Sequence, residues 1–146
     1  MKKINWKHFS IVTIIVFIWI NIGEVARALF VAFPKIETFF EGSGLTIGTM
    51  DFSHALVWGL WDLILTLVLV FIFWLCKEVF GNNHKSILIS SIITAFATIG
   101  IFWIATINTG LGEWSSFFII FPIAWVEFYI GGWIASSLYA KYDKKN

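Results

Sequence analysis

Four long apolar runs divide the chain, with shorter polar segments between them. The runs cover approximately residues 9–33, 54–75, 86–107 and 114–138. Each is close to the roughly 20 residues that a helix needs to cross about 30 Å of hydrocarbon. Leu, Ile, Val and Phe dominate without the two-residue alternation of an outer-membrane barrel. The pattern therefore predicts an all-α protein, a four-helix transmembrane bundle, in which residues 1–146 form a single integral membrane domain.

The connection after the first predicted helix is long, whereas the other two are short. The first helix is predicted to end at Pro34, because the residue before a proline disfavours the helical conformation. Beyond it, Ile36, Phe39 and Phe40 recur at helical spacing. This predicts a short amphipathic helix in the outer interface of the membrane. The short connections predict that helices 2, 3 and 4 are antiparallel neighbours.

Composition agrees with a membrane protein, since 59% of the residues are hydrophobic and 13% are charged. Soluble domains carry about 25% charged residues. The net charge of +1 does not favour a nucleic-acid partner. The expected partner is the lipid bilayer. His8, His54 and His84 are too dispersed to share a metal ion, and we expect no cofactor.

Lysine positions predict the orientation of the helices. The end that carries both termini and the connection between helices 2 and 3 holds Lys2, Lys3, Lys7, Lys77, Lys85, Lys141, Lys144 and Lys145, against Lys35 alone in the two other connections. Positive residues concentrate on the cytoplasmic side of membrane proteins. We therefore expect a multi-pass protein of the cell (inner or plasma) membrane with both termini in the cytoplasm.

An N-terminal signal peptide is the alternative interpretation of the first run. Basic residues precede a short apolar stretch, and Ala26-Arg27-Ala28 resembles a cleavage site. The apolar character resumes directly after these residues, however, which makes the run about 25 residues long. A transmembrane helix is the better interpretation.

Four charged residues lie inside the apolar runs: Glu24, Arg27, Asp62 and Glu127. Each costs roughly 2.5–3.5 kcal/mol near the centre of a transmembrane helix, so each is expected to face a partner or a wet cavity. At about 1.5 Å per residue, the carboxyl groups of helices 1, 2 and 4 fall within about one helical turn of a common height.

The helix faces also fit a shared polar site. Asn21, Glu24 and Arg27 recur every three residues on helix 1, and Trp58, Asp62 and Thr66 recur every four residues on helix 2. Three carboxyl groups around one guanidinium leave an excess of negative charge, so at least one carboxyl is expected to hold a proton. The predicted ligand-binding residues are Asn21, Glu24, Arg27, Trp58, Asp62, Thr66 and Glu127.

Small residues in helix 4 indicate close helix packing. Gly131, Gly132, Ala135 and Ser136 form two interleaved pairs of small residues four positions apart. Such residues let helix backbones approach closely in lipid. Packing against helix 3 of the same chain is the first interpretation, and a homo-oligomer seam is the second.

These features favour a small membrane transporter or a membrane protein that binds a small lipophilic or zwitterionic molecule. The size, the four helices and the acidic residue in helix 1 are similar to those of small multidrug exporters, although Arg27 and the long first connection depart from that pattern. An Arg27 that points into a pocket would favour an anionic or zwitterionic ligand. The alternatives are an accessory protein that binds another membrane protein and an enzyme that acts on a lipid or isoprenoid. We assign no catalytic residue, since helix capping explains Asp51-x-x-His54 more simply.

Overall fold

Four long helices form the molecule within the residues that the computed structural model describes, 4–44 and 51–143. They are Trp6–Phe39, Phe52–Phe80, His84–Asn108 and Trp114–Tyr142, and all four are long and apolar enough to cross a membrane. We call them spans 1 to 4. Neither described range contains a β-strand. The predicted all-helical fold with four candidate membrane spans is confirmed, and each span is longer than its apolar run.

Spans 1 and 3 each contain a π-helical turn. Span 1 consists of α1 (Trp6–Arg27), π1 (Ala28–Ala32) and α2 (Phe33–Phe39). Span 2 is α3 (Phe52–Phe80). Span 3 consists of α4 (His84–Ala95), π2 (Phe96–Gly100) and α5 (Ile101–Asn108), and span 4 is α6 (Trp114–Asp143). A π turn inserts one extra residue into a helical turn and changes which side chains face the core afterwards.

The prediction that the first helix ends at Pro34 is wrong, because span 1 continues to Phe39. The π turn before the proline explains the difference. The Phe33 N–H bonds to the carbonyl of Ala28, five residues back, and α2 then begins with Pro34 in its first turn. Proline is favoured in the first turn of a helical segment, where its fixed φ suits the helix. The position of this segment in a membrane interface remains a prediction.

The spans alternate in direction around the bundle. Spans 1 and 3 lie on opposite sides and each packs against both spans 2 and 4, which also contact one another. The start of span 1 lies beside the end of span 4, where the His8 ring stacks on Tyr142 with centroids 4.0 Å apart. We call this the near end; the far end carries Phe39 and Phe52.

The apolar core extends through both halves of the bundle. Val16, Ile20, Leu69 and Phe128 are completely buried. Gly131 lies where spans 1, 2 and 4 meet, and a Cβ there would be 3.0 Å from Leu69 Cδ2 and 3.2 Å from Ile20 Cδ1. Apolar side chains also cover the outside of the bundle, as expected for a surface that faces lipid.

Turn and capping residues define the helix ends. Asp51 caps α3 by accepting a hydrogen bond from the His54 N–H at 3.0 Å. Gly81 has a φ of +83° and ends span 2, and Asn83 caps α4.

Parts of the sequence predictions fall outside the described residues, namely 45–50 of the first connection and Lys2, Lys3, Lys144 and Lys145.

Candidate functional site

Charged and amide side chains from three spans meet inside the bundle. We call this group the polar centre; it consists of Asn21, Glu24 and Arg27 from span 1, Asp62 from span 2 and Glu127 from span 4. The exposed fraction of the four charged residues is 8% for Glu24, 6% for Arg27, 2% for Asp62 and 8% for Glu127. Their α-carbons lie within about 7 Å, measured along the helix axis, of the midpoints of their spans.

Helix periodicity directs the residues of span 1 into the bundle. Val16, Ile20, Glu24 and Arg27 follow one another at intervals of four, four and three, and all are buried. The next buried residue is Ala32, five positions on, inside π1. The extra residue of the π turn therefore keeps the buried stripe on the same side. The charged residues occupy core positions of an otherwise apolar stripe.

Arg27 connects span 1 to span 4. Its Nε donates a hydrogen bond to Glu127 Oε2 at 3.1 Å, and its Nη2 forms an ion pair with Glu24 Oε2. The planar guanidinium offers donors in a fixed fork, which suits two carboxylates at once. The contact between Arg27 and carboxyl groups of two helices, expected from their common height, is present in the structure.

Trp19 and Gly23 position Glu127, and the sequence analysis missed both. The Trp19 indole Nε1 donates to the backbone carbonyl of Glu127 at 2.9 Å. The Glu127 carboxyl lies against Gly23, where a Cβ would be 3.0 Å from Oε1. The sequence does place both residues on the face of Arg27, because Trp19, Gly23 and Arg27 recur every four residues. A mid-helix glycine costs about 1 kcal/mol relative to alanine, which calls for a packing reason.

Asp62 has a different environment from the two glutamates. Asn21 Nδ2 donates to Asp62 Oδ2 at 2.7 Å, and the charged residues within electrostatic range are Glu24 and Arg27. Across residues 4–44 and 51–143, no ion pair involves Asp62. No donor from the described chain reaches Asp62 Oδ1 or Glu24 Oε1, although both atoms are buried. Because buried polar atoms are rarely left without a partner, these two oxygens mark a site that can accept hydrogen-bond donors.

Span 2 changes from exposed to buried at the polar centre. From the far end, residues 52–58 and Leu60 are exposed and Gly59 is half-buried. Trp61 is half-buried and Asp62 is the first buried residue of α3. Asp62 therefore lies at the boundary between the exposed and the buried part of span 2.

Two predicted binding residues on span 2 lie beside this group. The buried Thr66 hydroxyl donates to the backbone carbonyl of Asp62 at 2.7 Å, one turn back in the same helix. Trp58 lies one turn from Asp62 toward the far end and is 43% exposed. The structure thus brings Asn21, Glu24 and Arg27 near Asp62 and joins Glu127 to Arg27, with Thr66 adjacent and Trp58 outside. A ligand-binding role for these seven residues remains a prediction.

The Asp51–His54 pair is a helix cap. His54 Nδ1 lies 2.7 Å from Asp51 Oδ1, and both side chains are more than half exposed. A hydrogen bond from the Ser53 hydroxyl, together with those from the His54 backbone and ring, lowers the pKa of Asp51 to about 2. A carboxylate with so low a pKa is a weak proton acceptor near neutral pH. The geometry therefore favours capping over acid–base chemistry.

Spans 3 and 4 bury a second, uncharged polar group. We call it the serine seam; it consists of Ser86, Ser90, Ser91 and Thr94. The three serine hydroxyls donate to nearby backbone carbonyls, as in the Ser90 bond to Ser86 at 2.8 Å. Ser91 also accepts a bond from Trp125 Nε1 on span 4 at 3.2 Å.

The small residues of span 4 pack inside the chain. Gly131, Gly132 and Ala135 are buried, and a Cβ on Gly132 would be 3.3 Å from Ile87 of span 3. Ser136 Oγ donates to Asn82 Oδ1 at 2.5 Å. The contact of Gly132 with Ile87 is the expected packing against the third helix, whereas Gly131 packs against spans 1 and 2. A homo-oligomer through these residues remains a prediction.

Within the described part of the chain, no group of three or more His, Cys, Asp or Glu side chains is arranged to hold a metal ion. Comparison with known proteins adds no assignment: no family model, no curated protein and no solved structure matches this chain.

Proposed function

We propose that this protein is a small membrane transporter or ligand-binding membrane protein whose binding site is the polar centre. One observation carries the proposal: three spans bury three carboxyl groups around a single guanidinium, and no donor from residues 4–44 or 51–143 reaches Glu24 Oε1 or Asp62 Oδ1. Ionisable groups inside membrane spans are costly, and they commonly mark substrate or ion pathways.

Binding explains the arrangement better than helix assembly alone. Groups that only held helices together would gain most from complete hydrogen bonding, because a half-satisfied buried network is less stable than an apolar one. Two buried carboxyl oxygens that lack a protein donor in the described chain weaken such a network. A ligand with donors, or a proton, supplies what they lack.

We also propose that the near end faces the cytoplasm in the cell membrane. The near end carries Lys7, Lys77, Lys85 and Lys141, whereas Lys35 belongs to the far half. This distribution follows the bias of cytoplasmic loops for lysine. Single cysteines introduced at Asn82 and Ser43 in a Cys76→Ser background test the orientation. A membrane-impermeant maleimide on whole cells should label position 43 and spare position 82, and the reverse pattern would contradict it.

Ligand-dependent stabilisation tests the binding function. The purified protein is heated in detergent with n-butylammonium, glycine or butyrate, which represent cationic, zwitterionic and anionic solutes. A ligand at 100 times its Kd adds about 2.7 kcal/mol to the folded state. We expect at least one probe to raise the melting temperature of the wild type but not of Asp62→Asn.

The matched control is Asp51→Asn, which also replaces one aspartate but lies in the exposed cap of α3. It should keep the response of the wild type. If no probe stabilises the wild type, or if Asp62→Asn responds as the wild type does, the polar centre is not the site. The accessory function would then be the better proposal.

A further inference from the structure

We infer that Asp62 is the group that carries a proton in the unliganded polar centre, and that it exchanges this proton for a small cation with N–H donors, such as a protonated primary amine. The inference rests on the proposed function. It names the class of ligand and the residue that binds it.

The arrangement of charge distinguishes Asp62 from the two glutamates. Arg27 contacts both Glu24 and Glu127 directly. The hydrogen-bond donor at Asp62 is the neutral amide of Asn21, and no ion pair to Asp62 occurs within the described ranges. An ionised carboxylate that is 2% exposed and has no cation in contact is strongly disfavoured. The proton therefore resides on Asp62, while Arg27 contacts both glutamates and offsets one of their two charges.

The surroundings of Asp62 supply no further positive charge. Span 1 brings Glu24 and Arg27 close to it, and the charged residue of span 4, Glu127, binds Arg27. Span 3 has no charged residue between Lys85 and Asn108, and the next ionisable residue on span 2 toward the far end is His54, about 12 Å along the helix. A second cation at Asp62 must come from outside the chain.

The exchange is balanced in charge and protons. The neutral Asp62 carboxyl releases one proton to water as one ammonium ion arrives, so the total charge of the site is unchanged. The carboxylate then accepts an N–H bond at Oδ1, and Glu24 Oε1 is the second buried carboxyl oxygen of the polar centre that lacks a donor within the described residues.

The chemistry of the unpartnered atoms selects cations over anions. Both atoms are carboxyl oxygens, and the Arg27 donors face two carboxylates already. An anion would meet three acidic groups and compete with them for one guanidinium. The expectation from sequence that Arg27 favours an anionic or zwitterionic ligand assumed a guanidinium free to face the pocket. The two ion pairs remove that reason.

Infrared difference spectroscopy locates the resting proton without any ligand. The wild type at neutral pH should show the C=O band of a protonated carboxyl group. The band should vanish in Asp62→Asn and persist in both Glu24→Gln and Glu127→Gln. A band that persists in Asp62→Asn, or that vanishes only in a glutamate variant, would overturn the assignment.

Calorimetry identifies the ligand class. Titrations with n-butylammonium in two buffers of different ionisation enthalpy count the protons released, with tetramethylammonium, which has no N–H, and butyrate as matched probes. We expect about one proton released per n-butylammonium bound, and an affinity that rises about tenfold per pH unit while Asp62 is protonated. Tetramethylammonium should bind at least tenfold more weakly, and Asp62→Asn should release no proton while Asp51→Asn behaves as the wild type.

The outcomes separate the two proposals. If butyrate or glycine binds in an Asp62-dependent manner and n-butylammonium does not, the binding function stands and the cation inference fails. Binding of n-butylammonium without proton release also overturns the inference. If none of the probes binds, the inference fails together with the proposed function.

Discussion

The polar centre and the serine seam both bury polar side chains in one bundle, but they satisfy them in different ways. In the seam, each of the three serine hydroxyls bonds to a backbone carbonyl no more than five residues away. In the polar centre, the bonds of Glu127 and Asp62 come from span 1, about 100 and 41 residues away. The serines of the seam are satisfied locally, although the buried Thr94 hydroxyl has no partner within the described residues, whereas the polar centre depends on assembly.

The difference follows from the chemistry of the side chains. A hydroxyl is both a donor and an acceptor, so it can bond to a carbonyl of its own helix. A carboxylate only accepts, and inside a helix the backbone N–H groups are already used. It must therefore find side-chain donors, as Glu24 does at Arg27 of its own span and as Glu127 and Asp62 do on span 1. The seam tolerates small shifts between helices, whereas the polar centre fixes the relative positions of spans 1, 2 and 4.

Loss of Arg27 should have the largest effect on stability. Arg27→Ala leaves Glu24 and Glu127 together without a cation, and removal of one partner of a buried ion pair costs about 3–5 kcal/mol. The free energy of unfolding, measured in detergent with increasing SDS, should fall by about this amount. Adding Glu24→Gln and Glu127→Gln to Arg27→Ala should restore much of it, since amides need no counter-ion.

Lys141→Ala is the matched control for Arg27→Ala, because it removes a cation from an exposed position near the end of span 4. It should change the free energy of unfolding by no more than about 0.5 kcal/mol. Equal effects of the two substitutions would show that Arg27 has no special structural role.

Gly23→Ala should have the next largest effect. The new Cβ would lie 3.0 Å from Glu127 Oε1 and 3.2 Å from Cγ, and Arg27 and Trp19 restrict the movement of Glu127. Overpacking of this kind costs about 1–3 kcal/mol. Gly59→Ala is the control, since a Cβ there meets nothing within 4 Å. If Gly23→Ala left the free energy of unfolding unchanged, the Glu127 carboxyl would be free to move.

Two tryptophans allow a direct comparison of the regions. Trp19→Phe removes the bond to the Glu127 carbonyl, and Trp125→Phe removes the bond to Ser91. Each should cost about 0.5–1.5 kcal/mol. Only Trp19→Phe should also weaken the ligand response that depends on Asp62, because the Trp19 bond positions Glu127 in the polar centre. If Trp125→Phe changed that response equally, the two regions would not be functionally distinct.

Ser90→Ala should have the smallest effect, within about 0.5 kcal/mol. The hydroxyl bonds to carbonyls of its own helix, at Ser86 and Ile87, and alanine has a higher helix propensity. Thermal unfolding in detergent is the measurement. A loss of several kcal/mol would mean that the seam, too, depends on bonds between spans.

The four spans were predictable from sequence because their length and apolar character are set by the lipid rather than by neighbouring helices. A contact of Arg27 with Glu24 and with a carboxyl group of a second helix was predictable for a related reason, since a buried charge must find a partner and helix geometry limits the choice of height. The sequence left open whether the second carboxyl was Asp62 or Glu127. Asn21 followed from its spacing with Glu24, although its partner, Asp62, did not.

The remaining features depend on tertiary contacts that no local pattern specifies. The continuation of span 1 through Pro34 requires π1, whose register is set by packing beyond Arg27. The bond from Trp19 goes to a backbone carbonyl, which every residue possesses, so the sequence gives no indication of the partner. The side chain of Trp58 was expected in a binding site, yet it is exposed because the far-end segment of span 2 is not covered by its neighbours.

A double-mutant cycle between Arg27 and Glu127 tests most directly whether buried charges on different spans hold the bundle together. The free energies of unfolding of the wild type, Arg27→Gln, Glu127→Gln and the double variant give the coupling energy. Residues that share a buried ion pair should couple by about 1–3 kcal/mol, whereas independent sites add to within about 0.3–0.5 kcal/mol. We predict coupling in the first range, and a value near zero would contradict the polar centre as described.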